Sequence, residues 1–110
     1  MTLDALLMSE AAEQAADLLK SLANRTRLLI VCQLVGGERS VGELADFLDI
    51  RDSTVSQHLA LLRREGLVGA RRDGQTIWYS ITSEPARQVL EVLYRHYCPP
   101  TPNCEPPQPD

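Results

Sequence analysis

Long hydrophobic segments are missing from this sequence of 110 residues. The longest apolar run, from Leu28 to Cys32, is far shorter than the roughly 20 residues that a membrane-spanning helix needs. The acidic first residues also lack the basic and then apolar pattern of a signal peptide. We therefore expect a cytoplasmic protein that has no membrane partner.

Aromatic residues are scarce, at 5% of the chain, although hydrophobic residues as a whole make up 44%. Many of the apolar residues are Leu, Val and Ala at helical spacing, which is typical of a mainly helical domain. The length allows one small domain and is too short for two.

Cysteine is scarce too. The three cysteines, Cys32, Cys98 and Cys104, are an odd number for a secreted domain held together by disulfides. Structural disulfides are also uncommon in a reducing cytoplasm, and a single cysteine in an apolar helix usually acts only as a small hydrophobic residue. Any cysteine chemistry in this chain is therefore expected to be regulatory.

Catalytic signatures are absent as well. The sequence contains no P-loop, no dinucleotide-binding glycine pattern and no His-Glu-x-x-His pattern. Its two histidines, His58 and His96, have no obvious nucleophile to accompany them. We expect no enzymatic activity, no cofactor and no resident metal.

Capping residues and apolar spacing predict five helices. Ser9, Asn24 and Ser83 are suitable N-caps, and Ser40 with Glu43 forms the capping-box pattern. Glycines follow the second and fourth helices and end them. The predicted helical ranges are 9–22, 25–35, 41–48, 52–65 and 84–98.

Two strands are predicted between the fourth and fifth helices, where the apolar spacing changes from helical to alternating. Asp73-Gly74 lies between two β-prone runs and is a strong hairpin signal, so we expect a hairpin at 71–81. The third and fourth helices, joined at 49–51, form a helix-turn-helix unit. The predicted fold is therefore mainly α with a β-hairpin wing, a winged helix-turn-helix. An N-terminal extension is expected at 1–8, the domain at 9–98 and a proline-rich flexible tail at 99–110.

Positive charge is concentrated in one part of this acidic chain. Residues 51–75 contain five arginines and three acids, a balance of +2, whereas the whole chain carries −4 and the remainder therefore −6. A DNA-binding surface needs such a local excess of positive charge.

One face of the predicted fourth helix is small and polar, whereas Val55, Leu59 and Leu62 lie on its inner face. Such a helix fits the major groove, where glutamine bonds adenine at two atoms and hydroxyls bind bases or phosphates. In the hairpin, Arg71 and Arg72 are suited to phosphate or minor-groove contacts. The helix residues predicted to contact DNA are Ser53, Thr54, Ser56, Gln57 and Arg63.

These segments resemble the ArsR/SmtB family of bacterial repressors. The resemblance rests on STVSQHLALLR at 53–63, GLV at 66–68, RRDGQ at 71–75 and WY at 78–79, and it covers about residues 15 to 98. It implies a homodimer joined through the first and last helices that binds a double-stranded operator, an inverted repeat. It also implies that Gln75 and His58 lie on the DNA side; a core or capping role is the alternative for His58.

The resemblance also limits the signals that the protein could sense. The zinc site of the family uses acids and histidines on the last helix, but Ser83 and Pro85 occupy the early positions and leave only His96. The family's cysteine-bearing metal site on the helix before the DNA-contacting helix is missing too. We therefore expect neither metal site.

Cys32 and Cys98 resemble the paired cysteines of the BigR/SqrR branch, which senses persulfides or oxidants. In that branch the two cysteines become linked directly or through sulfur atoms, and the repressor leaves DNA. The resemblance thus implies a repressor switched by thiol chemistry at Cys32 and Cys98. Two alternatives stay open: a sensor of arsenite or another soft metal that uses Cys98 and Cys104, with or without Cys32, and an interaction module that does not bind DNA.

Overall fold

The computed structural model describes residues 5–97, which form five helices and one three-stranded antiparallel sheet. The mainly helical fold with a hairpin wing is thereby confirmed. Residues 1–4 and 98–110, which include Cys98, Cys104 and the predicted tail at 99–110, lie outside the described residues. The bounds of the elements are α1 Ala5–Leu22, α2 Arg25–Val35, β1 Arg39–Ser40, α3 Val41–Leu48, α4 Asp52–Arg64, β2 Val68–Asp73, β3 Thr76–Ile81 and α5 Glu84–Tyr97.

Three helices begin at the predicted caps. The Asn24 side chain accepts a hydrogen bond from the Arg27 N–H at 3.0 Å at the start of α2. The Ser40 hydroxyl accepts from the Glu43 N–H at 3.2 Å, and the Glu43 carboxylate accepts from the Ser40 N–H at 3.1 Å, which completes the capping box of α3. The Ser83 hydroxyl accepts from the third N–H of α5 at 3.2 Å. Local side chains therefore determine where these helices begin.

The start of α1 differs from the prediction. The sequence predicts a cap at Ser9, but Ser9 lies inside α1, which already includes Ala5. The preceding residues, Ala-Leu-Leu-Met at 5–8, include strong helix formers, and they extend the helix through a serine of average helix propensity. The predicted helix start at Ser9 is therefore wrong.

Helices α3 and α4 pack against each other and form the helix-turn-helix. Asp49 ends α3 in the left-handed conformation, at φ 55°, which a short polar side chain tolerates. The next residue, Ile50, donates its N–H to the Ala45 carbonyl at 3.1 Å. The predicted connection at 49–51 is confirmed, and α4 ends at Arg64, one residue earlier than predicted.

The sheet contains a strand that the sequence analysis did not predict. Strand β1 has two residues and pairs with β3, so the strand order is β1-β3-β2. The turn between β2 and β3 is Gly74-Gln75, because Asp73 still pairs with Thr76. Gly74 has φ 65°, and glycine is favoured at a first turn position with positive φ. The turn therefore lies one residue later than the predicted Asp73-Gly74.

The core lies between α2, α3, α4, α5 and the inner face of the sheet. Helix α1 contributes little to it, since only Ser21 and Leu22 of that helix are buried. None of the helices in residues 5–97 combines the length and apolarity needed to cross a membrane. The residues with 2% exposure or less in the core are Ile30, Val31, Leu34, Leu44, Val55, Leu59, Leu62, Val68, Ala86 and Leu90.

Candidate nucleic-acid interface

Helix α4 has a buried apolar face and an accessible polar face. Val55, Leu59 and Leu62 are completely buried, and their spacing of four and three places them on one side of the helix. This apolar seam fixes α4 to the core. The predicted DNA-contacting residues lie off the seam and are exposed, apart from the half-buried Thr54: Ser53, Thr54, Ser56, Gln57 and Arg63.

His58 lies beside Arg27 of α2. It is half-buried, and its Nδ1 atom is buried without a hydrogen-bond partner in the part of the chain that the structure describes; the same is true of Arg27 Nε. Burial lowers the pKa of His58, and the positive charge of Arg27 lowers it further. Both effects favour the neutral form of His58. This half-buried position near Arg27 differs from that of the exposed residues of α4.

The two wing arginines have different surroundings. Arg71 donates from Nε and Nη2 to the two carboxylate oxygens of Glu38, each at 3.0 Å, and its Nη1 lies 3.9 Å from Asp73 Oδ2. The Arg72 side chain has no hydrogen-bond or ion-pair partner within residues 5–97. Gln75 is exposed at the wing tip. Sequence analysis missed Glu38, because 33 residues separate it from Arg71 and only the sheet brings them together.

The ion pair between Arg71 and Glu38 is exposed to solvent. The side chains are 55% and 39% accessible, respectively. Hydrogen bonding to Arg71 lowers the pKa of Glu38, and Glu38 in turn raises the pKa of Arg71. Both groups are therefore charged at neutral pH. In the free protein the negative charge of Glu38 offsets part of the positive charge of Arg71. Arg72 is the more available cation of the wing.

Cys32 is a free, half-buried thiol on α2 that packs against the core. Burial raises its pKa. On α5, burial raises the pKa of Tyr94, the nearby Cys32 thiol raises it further, and Arg39 opposes the shift. Helix α2 packs against α5, and Cys32 of α2 lies near enough to Tyr94 of α5 to influence it. Within the described part of the chain, no three acidic, histidine or cysteine side chains are grouped as a metal ion would require.

Comparison with known proteins extends this description. Residues 24–69 match the family described as "Bacterial regulatory protein, arsR family". The chain is 45% identical over 91 residues to the transcriptional activator HlyU of Vibrio cholerae, covering 83% of this chain and 84% of that protein. It is 44% identical over 96 residues to the biofilm growth-associated repressor of Agrobacterium fabrum, covering 87% and 82% of the two chains.

Solved structures agree with this result. Reduced HlyU from Vibrio cholerae superposes with a TM-score of 0.81 at 44% identity, covering 84% of this chain and 97% of that one. The transcriptional repressor BigR from Xylella fastidiosa gives a TM-score of 0.78 at 40% identity, covering 88% and 99%. The chain therefore belongs to the ArsR family of bacterial winged-helix transcriptional regulators, which bind DNA and are not enzymes.

Proposed function

We propose that this protein is a transcriptional repressor that binds its operator through the exposed face of α4 and through the wing. The observation that carries this proposal is the division of α4: a buried apolar seam fixes the helix, and the opposite surface presents hydroxyl, amide and guanidinium groups. A helix of this kind enters the major groove with its N-terminal residues nearest the bases.

The proposal gives different roles to different side chains. Gln57, in the N-terminal half of α4, has the amide that pairs with adenine, and Ser53 and Ser56 have hydroxyls that bond to bases or phosphates. Arg63 lies in the last turn of α4, where it is suited to a phosphate contact. Arg72 extends the same surface along the wing. Base contacts then determine sequence specificity, and phosphate contacts determine register.

Replacing Gln57 with alanine is expected to weaken operator binding by about 1–3 kcal/mol, mainly at one base position of each half-site. Arg72→Ala is expected instead to weaken binding to all sequences and to lower the slope of log affinity against log salt concentration by about one. Fluorescence anisotropy with an operator obtained by in vitro selection, and with random duplex DNA, measures both effects. Equal effects of both substitutions on specific and random DNA would contradict the assignment of α4.

The proposal also includes a homodimer joined through α1 and α5. Both helices carry large apolar side chains that are exposed in the single chain: Leu19 is 57% exposed, Val92 46% and Tyr97 81%. A domain of this size has little core with which to cover such surface, so a second copy is the natural partner. Two-fold symmetry of the dimer would be mirrored in an inverted-repeat operator with half-sites roughly 34–36 Å apart.

Sedimentation velocity is expected to show a dimer for the wild-type chain and a monomer for Leu19→Glu, because the substitution places a charge in the apolar interface. Phe47→Glu is the matched control, since Phe47 on α3 is 47% exposed but lies outside the proposed interface. A monomeric wild type, or equal dissociation of both variants, would contradict the interface.

We further propose that thiol chemistry at Cys32 and Cys98 releases the repressor from DNA. The support from the structure is that α2 packs against α5 and that Cys32 of α2 lies near Tyr94 of α5, which precedes Cys98 by four residues in the sequence. A link between α2 and the chain after Tyr94 would join a core helix that packs against α3 of the helix-turn-helix to the proposed dimer helix α5. Such a link can reset the orientation of the DNA-binding surfaces.

A further inference from the structure

The wing carries a net charge of only +1 despite its two arginines. The hairpin at 68–81 contains Arg71, Arg72 and Asp73, a balance of +1, and the charges of Glu38 and Arg39 beside it cancel in this sum. The two arginines share a strand but have different partners, since only Arg71 is held by a carboxylate at two points. Glu38 therefore reduces the positive charge that the wing can present to DNA at Arg71.

The sheet determines this pairing. Glu38 immediately precedes β1, and Ser40 of β1 and Arg71 of β2 both pair with Trp78 of the central strand β3. Arg71 therefore reaches across β3 to Glu38, and its Nε and Nη2 atoms form the planar two-point pair that guanidinium and carboxylate groups favour. A phosphate offers the same acceptor geometry as the carboxylate, so it can bind Arg71 through these donors only if it displaces Glu38.

The exposed ion pair has little structural role. Both side chains are accessible to solvent, and exposed pairs contribute little to folding stability. The sheet is held by its own backbone pairs on both sides of β3. The effect of Glu38 is therefore expected in binding and not in folding.

We infer that Glu38 competes with the phosphates of DNA for Arg71. Glu38 holds Arg71 until a phosphate displaces it, and it thereby limits binding to non-operator sequences. The inference rests on the proposed DNA-binding function and adds a residue that controls the wing. Arg72 then makes the phosphate contact that every duplex obtains, whereas the contact of Arg71 depends on displacing Glu38.

The test is a comparison of Glu38→Gln with the wild-type chain on random duplex DNA over a range of salt concentrations. Freeing Arg71 is expected to strengthen binding and to steepen the slope of log affinity against log salt concentration by about 0.9. The ratio of the variant's affinity to that of the wild type then grows about 3.5-fold for each fourfold dilution of salt. In the Arg71→Ala background, Glu38→Gln is expected to give no such advantage, because Glu38 then has no arginine with which to pair.

Asp73→Asn is the matched control, since it removes one negative charge from the same wing but at a contact of 3.9 Å. Its gain in affinity is expected to be smaller than that of Glu38→Gln. Three results would overturn the inference: no gain for Glu38→Gln, weaker binding by Glu38→Gln, or a gain that persists in the Arg71→Ala background. A wild-type chain that binds no duplex at all would instead overturn the proposed function together with this inference.

Discussion

Replacing Leu59 with alanine is expected to lower the free energy of unfolding by about 2–5 kcal/mol. Leu59 is completely buried at the centre of the apolar seam of α4, between Val55 and Leu62. Truncation removes buried methyl groups and leaves a cavity that tightly packed neighbours fill only in part. Chemical denaturation followed by circular dichroism measures the loss.

Leu61→Ala is the control for this prediction, because Leu61 lies on the same helix but is 39% exposed. It removes the same atoms and has the same effect on helix propensity, so the difference between the two variants reports burial. We expect a markedly smaller loss for Leu61→Ala. Similar losses for both would contradict the orientation of α4, and with it the assignment of the DNA-facing surface.

The Cys32→Ser variant is expected to remain on its operator when polysulfide is added, whereas the wild-type chain is released. The expected loss of affinity for the wild type is about 5–150-fold, the usual range of coupling between two sites. Joining the Cys32 and Cys98 sulfurs in a disulfide removes two electrons and two protons, which polysulfide accepts as it is reduced to sulfide. Operator binding before and after treatment, with mass spectrometry of the product, measures the response.

The raised pKa of Cys32 bears on the order of the steps. At neutral pH little of this thiol is ionised, and the thiolate is the attacking species, so Cys32 is expected to be slow as the first nucleophile. Its reaction should accelerate as the pH rises towards its pKa. Cys98 is then the residue proposed to react first with polysulfide. Cys32 attacks the product afterwards, because a reaction within one chain offsets its small ionised fraction.

Cys104→Ser separates the two sensing hypotheses. A switch that uses Cys32 and Cys98 is expected to be unaffected by this substitution. A soft-metal sensor that uses Cys98 and Cys104 would lose its response in the same variant, and arsenite would release the reduced wild-type chain. Release by arsenite with no effect of polysulfide would contradict the proposed thiol switch and leave the DNA-binding proposal standing.

Features that depend on neighbouring residues could be predicted from the sequence. The caps at Asn24, Ser40 and Ser83 were correct because a cap is formed by atoms three residues apart. The buried seam of α4 was correct because helical periodicity places its members on one side. The predicted start of α1 failed at Ser9 because serine is tolerated inside a helix as well as at its cap.

Features that depend on distant parts of the chain could not be predicted. Strand β1 has two residues, too few to show an alternating pattern, and it exists through its pairing with β3. The contact of Glu38 with Arg71 follows from that pairing and was missed for the same reason. The spacing of Tyr97 from Leu90 and Leu93 is typical of one apolar helix face, yet Tyr97 is 81% exposed in the single chain, because periodicity identifies an apolar face without identifying what covers it.

Strand β1 limits how many residues the chain can have where β1 joins α3. Ser40 pairs with Trp78 in the sheet and also caps α3, so one residue belongs to both structures. An insertion or deletion of one residue just before Ser40 would shift β1 by one position and turn its side chains to the other face. At Gly74-Gln75, by contrast, a longer loop leaves every strand pair in place. The tip of the wing can therefore be lengthened without changing the sheet, whereas the junction of β1 with α3 must keep its length.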